Sequence, residues 1–286
     1  MGQVEVSCQL RSICRSSEGK SMDKTIELVN GVKDIQAMPS VIVKVLNVMK
    51  KPTVSMKELG DIVMYDQSLT IKILALVNSA YYGFSQQISS ISIALSLLGM
   101  VKVKNIIVAV AMKPMMSNAG DKELWKHSIR VAAGCEYLAS LTKVMDSDEA
   151  FIAGFIHDIG KMVLNMTNPK VYTKVIELTN EGADILEVEK KYFDSDHVKT
   201  GSLLAKRWQL PILLANIVSY HHAPTLSSIP VPCNLVCAVD KLTQDNFNPN
   251  LLDKDFLKTL GIDLDDIEDL RKAILQKADL LISELS

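Results

Sequence analysis

What this 286-residue chain lacks narrows the field before any motif is read. Its lysines and arginines are scattered and its net charge is -2, so it carries no electrostatic footprint for nucleic acid or an anionic membrane. No apolar stretch reads as long enough to span a bilayer, and Met1 to Lys20 holds no apolar segment of the signal-peptide kind; together these predict a soluble, cytoplasmic protein. Cys-x-x-Cys pairs are missing as well. Cys8, Cys14, Cys135, Cys233 and Cys237 are irregularly spaced, which argues against a disulfide framework or a structural zinc site and leaves buried or free thiols. Cys233 and Cys237, four apart, are expected to pack in the core. Sustained period-two alternation is absent too, so no strand is expected.

What is present is helical patterning. With 48% hydrophobic residues the chain can bury a sizeable core in one large or two small domains. Ile35, Met38, Val41, Ile42, Val45, Leu46 and Met49 recur at intervals of three and four, and Ser55 with Glu58 forms a capping box for a helix through Met64. Asp66-Gln67-Ser68 opens a helix over Leu69–Val77, which stops at Asn78-Ser79-Ala80-Tyr81-Tyr82-Gly83-Phe84. The aromatics of that turn either pack or form a binding patch, with packing favoured. Two helices, Ser90–Met100 and Val101–Met112, are separated near Gly99, and Pro114 with Asn118-Ala119-Gly120 marks a boundary. Beyond it, helices are predicted over Asp121–Leu141, Asp148–Asn165, Tyr172–Asn180, Ala183–Phe193, Ser195–Trp208, Leu210–His222 and Cys233–Gln244, with Pro224, Pro230 and Pro232 enforcing an extended loop. Trp125 and Trp208 are expected core anchors, and Asp196 with Lys199 a solvated helix face. The acid-rich amphipathic tail, Leu251–Ser286, fits a helical cover for the core or a partner-binding face, with the cover favoured.

Chemistry concentrates in Ala153-Gly154-Phe155-Ile156-His157-Asp158-Ile159-Gly160-Lys161. A carboxylate can bridge two cations, a neutral imidazole can hold one of them, and a nearby lysine can pair with a phosphate. Taken alone, the His-Asp pair is read first as a helix with one satisfied histidine and a carboxylate cap. All five histidines, however, lie beyond Gly120: His127, His157, His197, His221 and His222. Glu123 and His127, four apart, project from one helix face, and Asp240 follows the apolar run Leu235–Val239, where a carboxylate wants a cation or a donor. Mixed imidazoles and carboxylates suit iron, manganese or zinc better than calcium or magnesium.

Tyr65-Asp66-Gln67-Ser68-Leu69, the Asn78–Phe84 turn, Ile91–Gly99, Leu124-Trp125-Lys126-His127-Ser128, His157-Asp158, Trp208-Gln209-Leu210-Pro211 and His221-His222, in this order, resemble the HDOD module of bacterial signalling proteins over roughly residues 30 to 240. One departure is Gln67, where the family usually has proline. The resemblance implies an all-α fold related to the HD phosphohydrolases and a signalling output role with no agreed reaction. With the polar, aperiodic start, the break near Pro114 and the amphipathic tail, the expected division is a leader (1–22), an N-terminal helical half (23–116), an HD-type metal-site half (117–245) and a helical cover (246–286). The histidine arrangement is similar to that of the dinuclear HD-GYP phosphodiesterases. Carried over by position, that likeness implies Glu123, His127, His157, Asp158, His197, His221, His222 and Asp240 as ligands of one or two metal ions, with Lys161 facing phosphate. Those relatives continue after the paired histidines with a glycine-rich stretch containing Gly-Tyr-Pro. Here Ala223–Pro230 bridges directly to the next helix, which argues against cyclic di-GMP as substrate.

Two functions are therefore expected to compete: a regulatory module with a protein partner or a small phosphorylated ligand, and a metal-dependent phosphohydrolase in which Asp158 and Lys161 serve the reaction.

Overall fold

The computed structural model describes residues 24–35, 38–49, 55–79, 84–117 and 122–285. The leader, Cys8, Cys14, Tyr81, Tyr82 and the Asn118-Ala119-Gly120 break lie outside the described residues. In chain order the helices are α1 (residues 24–31), α2 (Ser40–Met49), α3 (Met56–Met64), α4 (Gln67–Val77), α5 (Ile91–Ser117), α6 (Lys122–Thr142), α7 (Ser147–Ile156) and α8 (Ile159–Thr167). They continue with α9 (Pro169–Asn180), α10 (Ile185–Phe193), α11 (His197–Arg207), α12 (Ile212–Tyr220), α13 (Pro230–Leu242), α14 (Lys254–Thr259) and α15 (Ile267–Leu285). Among the described residues there is no strand, and the all-α expectation holds.

Side-chain caps set many of the helix starts. Ser55 and Glu58 close the expected capping box on α3, each side chain taking the other's backbone N–H at 3.2 Å. Asp66, Asp146, Asp184, Asp196 and Asp253 each accept a first-turn N–H of the helix they precede, a bond worth about 1 kcal/mol. Asn78 ends α4 and clamps the following loop: its Nδ2 donates to the Ile88 carbonyl at 2.8 Å, and its Oδ1 accepts the Ile88 N–H at 2.7 Å.

Several expectations need correction. Asp196 is not on a solvated face; it is buried, and its carboxylate takes the Lys199 N–H at 2.8 Å. Pro230 and Pro232 do not hold an extended loop but sit in the first turn of α13, where a missing N–H costs nothing. Pro114 lies inside α5, which runs on to Ser117, whereas the expected separation near Gly99 is present: Ile91–Ser117 is two helices joined across a non-helical residue (φ 77°, ψ 159°). Counted across that kink, α5 is long and apolar enough to cross a membrane by length and composition, which the sequence reading did not expect. It is a core helix here, with 61% of its most apolar window buried inside the protein.

The fold contains two compact units, each discontinuous in sequence. One comprises the chain up to Ala37 together with Asp158–Leu210. Its core gathers Leu28, Leu164, Tyr172, Val175, Val188 and Phe193. The Thr25 and Ser195 hydroxyls meet at 2.7 Å, and the half-buried Trp208 indole donates to the Ile35 carbonyl at 3.1 Å. In this unit α8 and α11 approach until a Cβ on Gly160 would fall 1.8 Å from the His197 carbonyl oxygen.

The other unit comprises Met38–His157 and Pro211–Ser286. It packs α6 against α5, α7, α13 and α15 around Trp125, Ile107, Phe151 and Phe155. Burying side chains of this size contributes about 1.5–3 kcal/mol each. Gly154 of α7 seats on α6 at Val131, Ala132 and Cys135. The Trp125 indole donates to the Ala109 carbonyl at 3.2 Å, as expected of an anchor. Cys233 is buried with its thiol 3.3 Å from the Ser227 hydroxyl, whereas Cys237 is only half-buried. In the tail, Ile274 and Ala278 are buried while Leu260, Leu264, Leu270 and Leu281 are half-exposed.

Candidate metal centre

The expected continuous helix over Asp148–Asn165 is broken at His157 and Asp158. His157 closes α7 with αR backbone; Asp158 (φ -100°, ψ 20°) opens α8. The boundary between the two units runs through the peptide bond joining them.

In the larger unit three elements meet through one carboxylate. His127 comes from the second turn of α6, His157 from the end of α7 and Asp240 from the last turn of α13. The Asp240 Oδ1 lies 3.3 Å from His127 Nε2 and 3.8 Å from His157 Nε2, and candidate ligand atoms of the three residues fall within 4.8 Å of one another. His157 Nδ1 is 2.7 Å from the Gly154 carbonyl. A carbonyl only accepts, so Nδ1 carries a proton, and in the neutral ring Nε2 presents its lone pair to the carboxylate. Lone pair facing carboxylate requires a cation between them, either a proton or a metal ion. His221 is built the same way at the end of α12: its Nδ1 is 3.2 Å from the Ile217 and Val218 carbonyls, and its ring lies 5.1 Å from that of His157. His222, more exposed, is 4.4 Å from His221 ring to ring.

Helix ends reinforce the preference for positive charge. His157 and His221 are the C-caps of α7 and α12, and Asp240 lies in the final turn of α13, so three negative helix ends serve this unit's cluster. Burial by itself would push the Asp240 carboxyl up. Hydrogen bonds from His127 and His157, and their charge, overcome it and hold the group well below the usual carboxylate range.

In the smaller unit Asp158 departs from its peers. It stands where the capping aspartates stand but makes no side-chain cap bond. Its Oδ2 takes the Lys161 ammonium and its Oδ1 lies 3.4 Å from His197 Nε2. The opposite side of the His197 ring is fixed by Glu189, whose Oε2 accepts both the Nδ1–H and the backbone N–H of His197 at 2.7 Å, while its Oε1 accepts from the Tyr172 hydroxyl at 3.2 Å. A carboxylate behind an imidazole fixes its tautomer and raises its basicity toward a cation at Nε2. Glu189→Gln is accordingly expected to weaken retention of any metal held at His197 Nε2 by about 10–100-fold, read by competition against a graded chelator, and to leave metal held at His127, His157 and Asp240 unchanged.

Sequence reasoning missed Glu189. The available signal was a carboxylate among the apolar Val188 and Phe193, eight residues before His197. Glu123, expected as a ligand, is exposed in the first turn of α6 with its carboxylate 2.6 Å from the Lys126 ammonium, outside the group that His127, His157 and Asp240 form.

Among the described residues the fold is helical, with a His-Asp pair at a helix break and imidazoles aimed at carboxylates. The HDOD domain profile matches residues 35–224, and the chain belongs to that family. An HDOD domain protein of unknown function from Geobacter sulfurreducens is similar over 93% of this chain and 96% of its own (TM-score 0.74, 23% identity). A candidate signal-transduction protein from Marinobacter aquaeolei VT8 matches over 86% of this chain and 58% of its own (TM-score 0.75, 19% identity). A candidate phosphohydrolase from Shewanella amazonensis SB2B matches over 92% and 98% (TM-score 0.67, 20% identity). A curated relative, an uncharacterized protein of Treponema pallidum (strain Nichols), is 26% identical over 202 residues, which span 68% of this chain and 39% of the relative.

Proposed function

We propose that the chain is a cytoplasmic regulatory module of a signalling pathway, in which a divalent transition metal (iron, manganese or zinc) is held by His127, His157 and Asp240 and the output passes through contact with a protein partner. The observation that carries this reading is the meeting of two imidazole Nε2 atoms at the Asp240 carboxylate, beside negative helix ends. The donor set fits the group: nitrogen and oxygen ligands on rigid helices, with the His157 tautomer fixed by a carbonyl behind it. The short bridge after His222 also supports a regulatory role. It forms a 3-10 turn at Pro224–Leu226 and is tied down by Ser227, whose hydroxyl donates to Asn216 Oδ1 at 3.2 Å.

A second reading is favoured by one specific feature, the Lys161 ammonium on the Asp158 carboxylate opposite His197. Metal ions bound in this region would supply Lewis acidity and a low-pKa water for phosphoryl transfer. Asp158 and His197 would be the holding groups in the smaller unit, and Lys161 would offset charge on an anionic phosphate. That reading is a metal-dependent phosphohydrolase not specific for cyclic di-GMP, or a sensor of a small phosphorylated ligand.

Metal analysis of the purified full chain, followed by assays on phosphomonoesters, nucleotides and cyclic dinucleotides, separates the two. The regulatory reading expects bound metal and no turnover. Turnover abolished by Asp158→Ala would replace it with the hydrolase, and a chain purified and reconstituted without metal uptake would overturn the metal centre in both.

A further inference from the structure

The stretch from Pro211 to Val239, which builds α12, the turn after His222 and most of α13 in the larger unit, contains no aspartate, glutamate, lysine or arginine. Three of its aliphatic side chains face solvent: Ile212 is 79% exposed, Leu226 73% and Val231 43%. They come from three elements and are held on one platform. Ile212 and Asn216 lie one turn apart on the same face of α12. The Asn216 Nδ2 donates to the Ile212 carbonyl at 2.9 Å, and its Oδ1 accepts the Ser227 and Ser228 hydroxyls at 3.2 and 3.3 Å. Leu226 immediately precedes those serines. The Ser227 oxygen in turn accepts the Ile229 N–H at 3.1 Å and the Cys233 thiol at 3.3 Å, which joins the turn to the start of α13, where Val231 stands. Single exposed aliphatics are ordinary on a protein surface, whereas three on a hydrogen-bonded platform are a preorganised contact.

We propose that Ile212, Leu226 and Val231 form the centre of an isologous interface with a second copy of this chain. The occupant follows from charge. A two-fold contact sets a surface against itself, so an ionised group near its centre meets its own sign. The Pro211–Val239 stretch brings none. A different protein is steered and selected largely by complementary charge, for which this stretch offers no partner, and an anionic membrane would call for lysines or arginines. Homodimer interfaces are the more apolar class, with charged residues depleted at the core. A standard interface takes about 800 Å² from each partner, so these three side chains are its core, and the exposed Thr225, Ser228 and Pro230 around them supply rim.

Sedimentation equilibrium of the full chain should show a reversible monomer–dimer equilibrium. Ile212→Asp and Leu226→Asp, each placing a charge where the surface meets its copy, should raise the dimer Kd at least tenfold while the helical circular dichroism stays equal to the parent's, because both side chains are exposed in the fold. Leu226→Met, which keeps an apolar side chain, should dimerise as the parent does. Ile71→Asp, at a 59% exposed position on α4, should leave the Kd unchanged. A parent chain that remains monomeric to about 100 μM overturns the proposal. So does a dimer that Ile71→Asp dissociates and the Ile212 and Leu226 variants do not, or a monomer that co-sediments with phosphatidylcholine vesicles and loses them in those two variants. Metal retention is measured separately, so failure here leaves the metal centre standing, and loss of the metal centre leaves this surface standing.

Discussion

Under the proposed metal centre, Asp240→Asn should abolish metal binding by the larger unit and, with it, the thermal response to chelation. The substitution keeps the size of the side chain but removes the charge on which His127 and His157 converge at 3.3 and 3.8 Å. It also places a donor NH₂ where two lone pairs and a carboxylate would share one cation. A ligand present at 1,000 times its Kd stabilises the folded state by about 4 kcal/mol. Chelation of the parent chain should therefore lower Tm by several degrees, while the Asp240→Asn chain should start lower and not respond. If a proton rather than a metal ion lies between these groups, the variant is still destabilised, because a buried histidinium loses its counter-charge at a cost of about 3–5 kcal/mol. In that case chelation leaves the parent unmoved. The two outcomes separate by the chelator arm alone.

Gly160→Ala should be the most damaging methyl that can be added to the smaller unit. A Cβ there would meet the His197 carbonyl oxygen at 1.8 Å, the His197 carbonyl carbon at 2.6 Å and the Gly201 amide nitrogen at 2.7 Å, all backbone atoms that move only if α8 and α11 separate. Overpacking against yielding side chains costs about 1–3 kcal/mol; against backbone the loss should be about 3 kcal/mol or more. Gly31→Ala provides the control in the same unit, since its Cβ would meet nothing within 4 Å. It should be neutral, or stabilising by up to about 1 kcal/mol. Equal denaturant midpoints for the two variants would show that the close approach of α8 and α11 is not required. Gly160→Ala should also displace His197 from Asp158, so part of any metal held in the smaller unit should be lost with the stability.

How much of this was legible in the sequence depended on how local each cause is. The capping box at Ser55 and Glu58, the Asp66 start of α4 and the helix stop at Asn78 are decided by residues three or four apart, and they form as read. The histidines could be recognised as a set because imidazole is scarce here, but which groups meet is a property of packing. Glu123 and His127 share a helix face by arithmetic, yet the first turn of α6 leaves Glu123 at the surface beside Lys126, while Asp240, 113 residues along the chain from His127, supplies the carboxylate. Glu189 could not be found by periodicity, because its role depends on α10 and α11 folding back so that one carboxylate serves a ring nitrogen, a backbone amide and a phenol. The break between α7 and α8 was hidden for a related reason. Ile156, His157, Asp158 and Ile159 carry no glycine or proline to announce it.

That break has a thermodynamic corollary. Five other aspartates in the same position stabilise the helix behind them, and Asp158 holds back its oxygens for Lys161 and His197. The first turn of α8 therefore lacks the side-chain cap bond of the other five, and the aspartate favours the helix only through its charge at the N-terminal end and its pairing with Lys161. What sets Asp158 apart from a capping aspartate is that its two oxygens are divided between an ammonium and an imidazole, so the start of α8 is tied to Lys161 and His197 rather than to its own backbone.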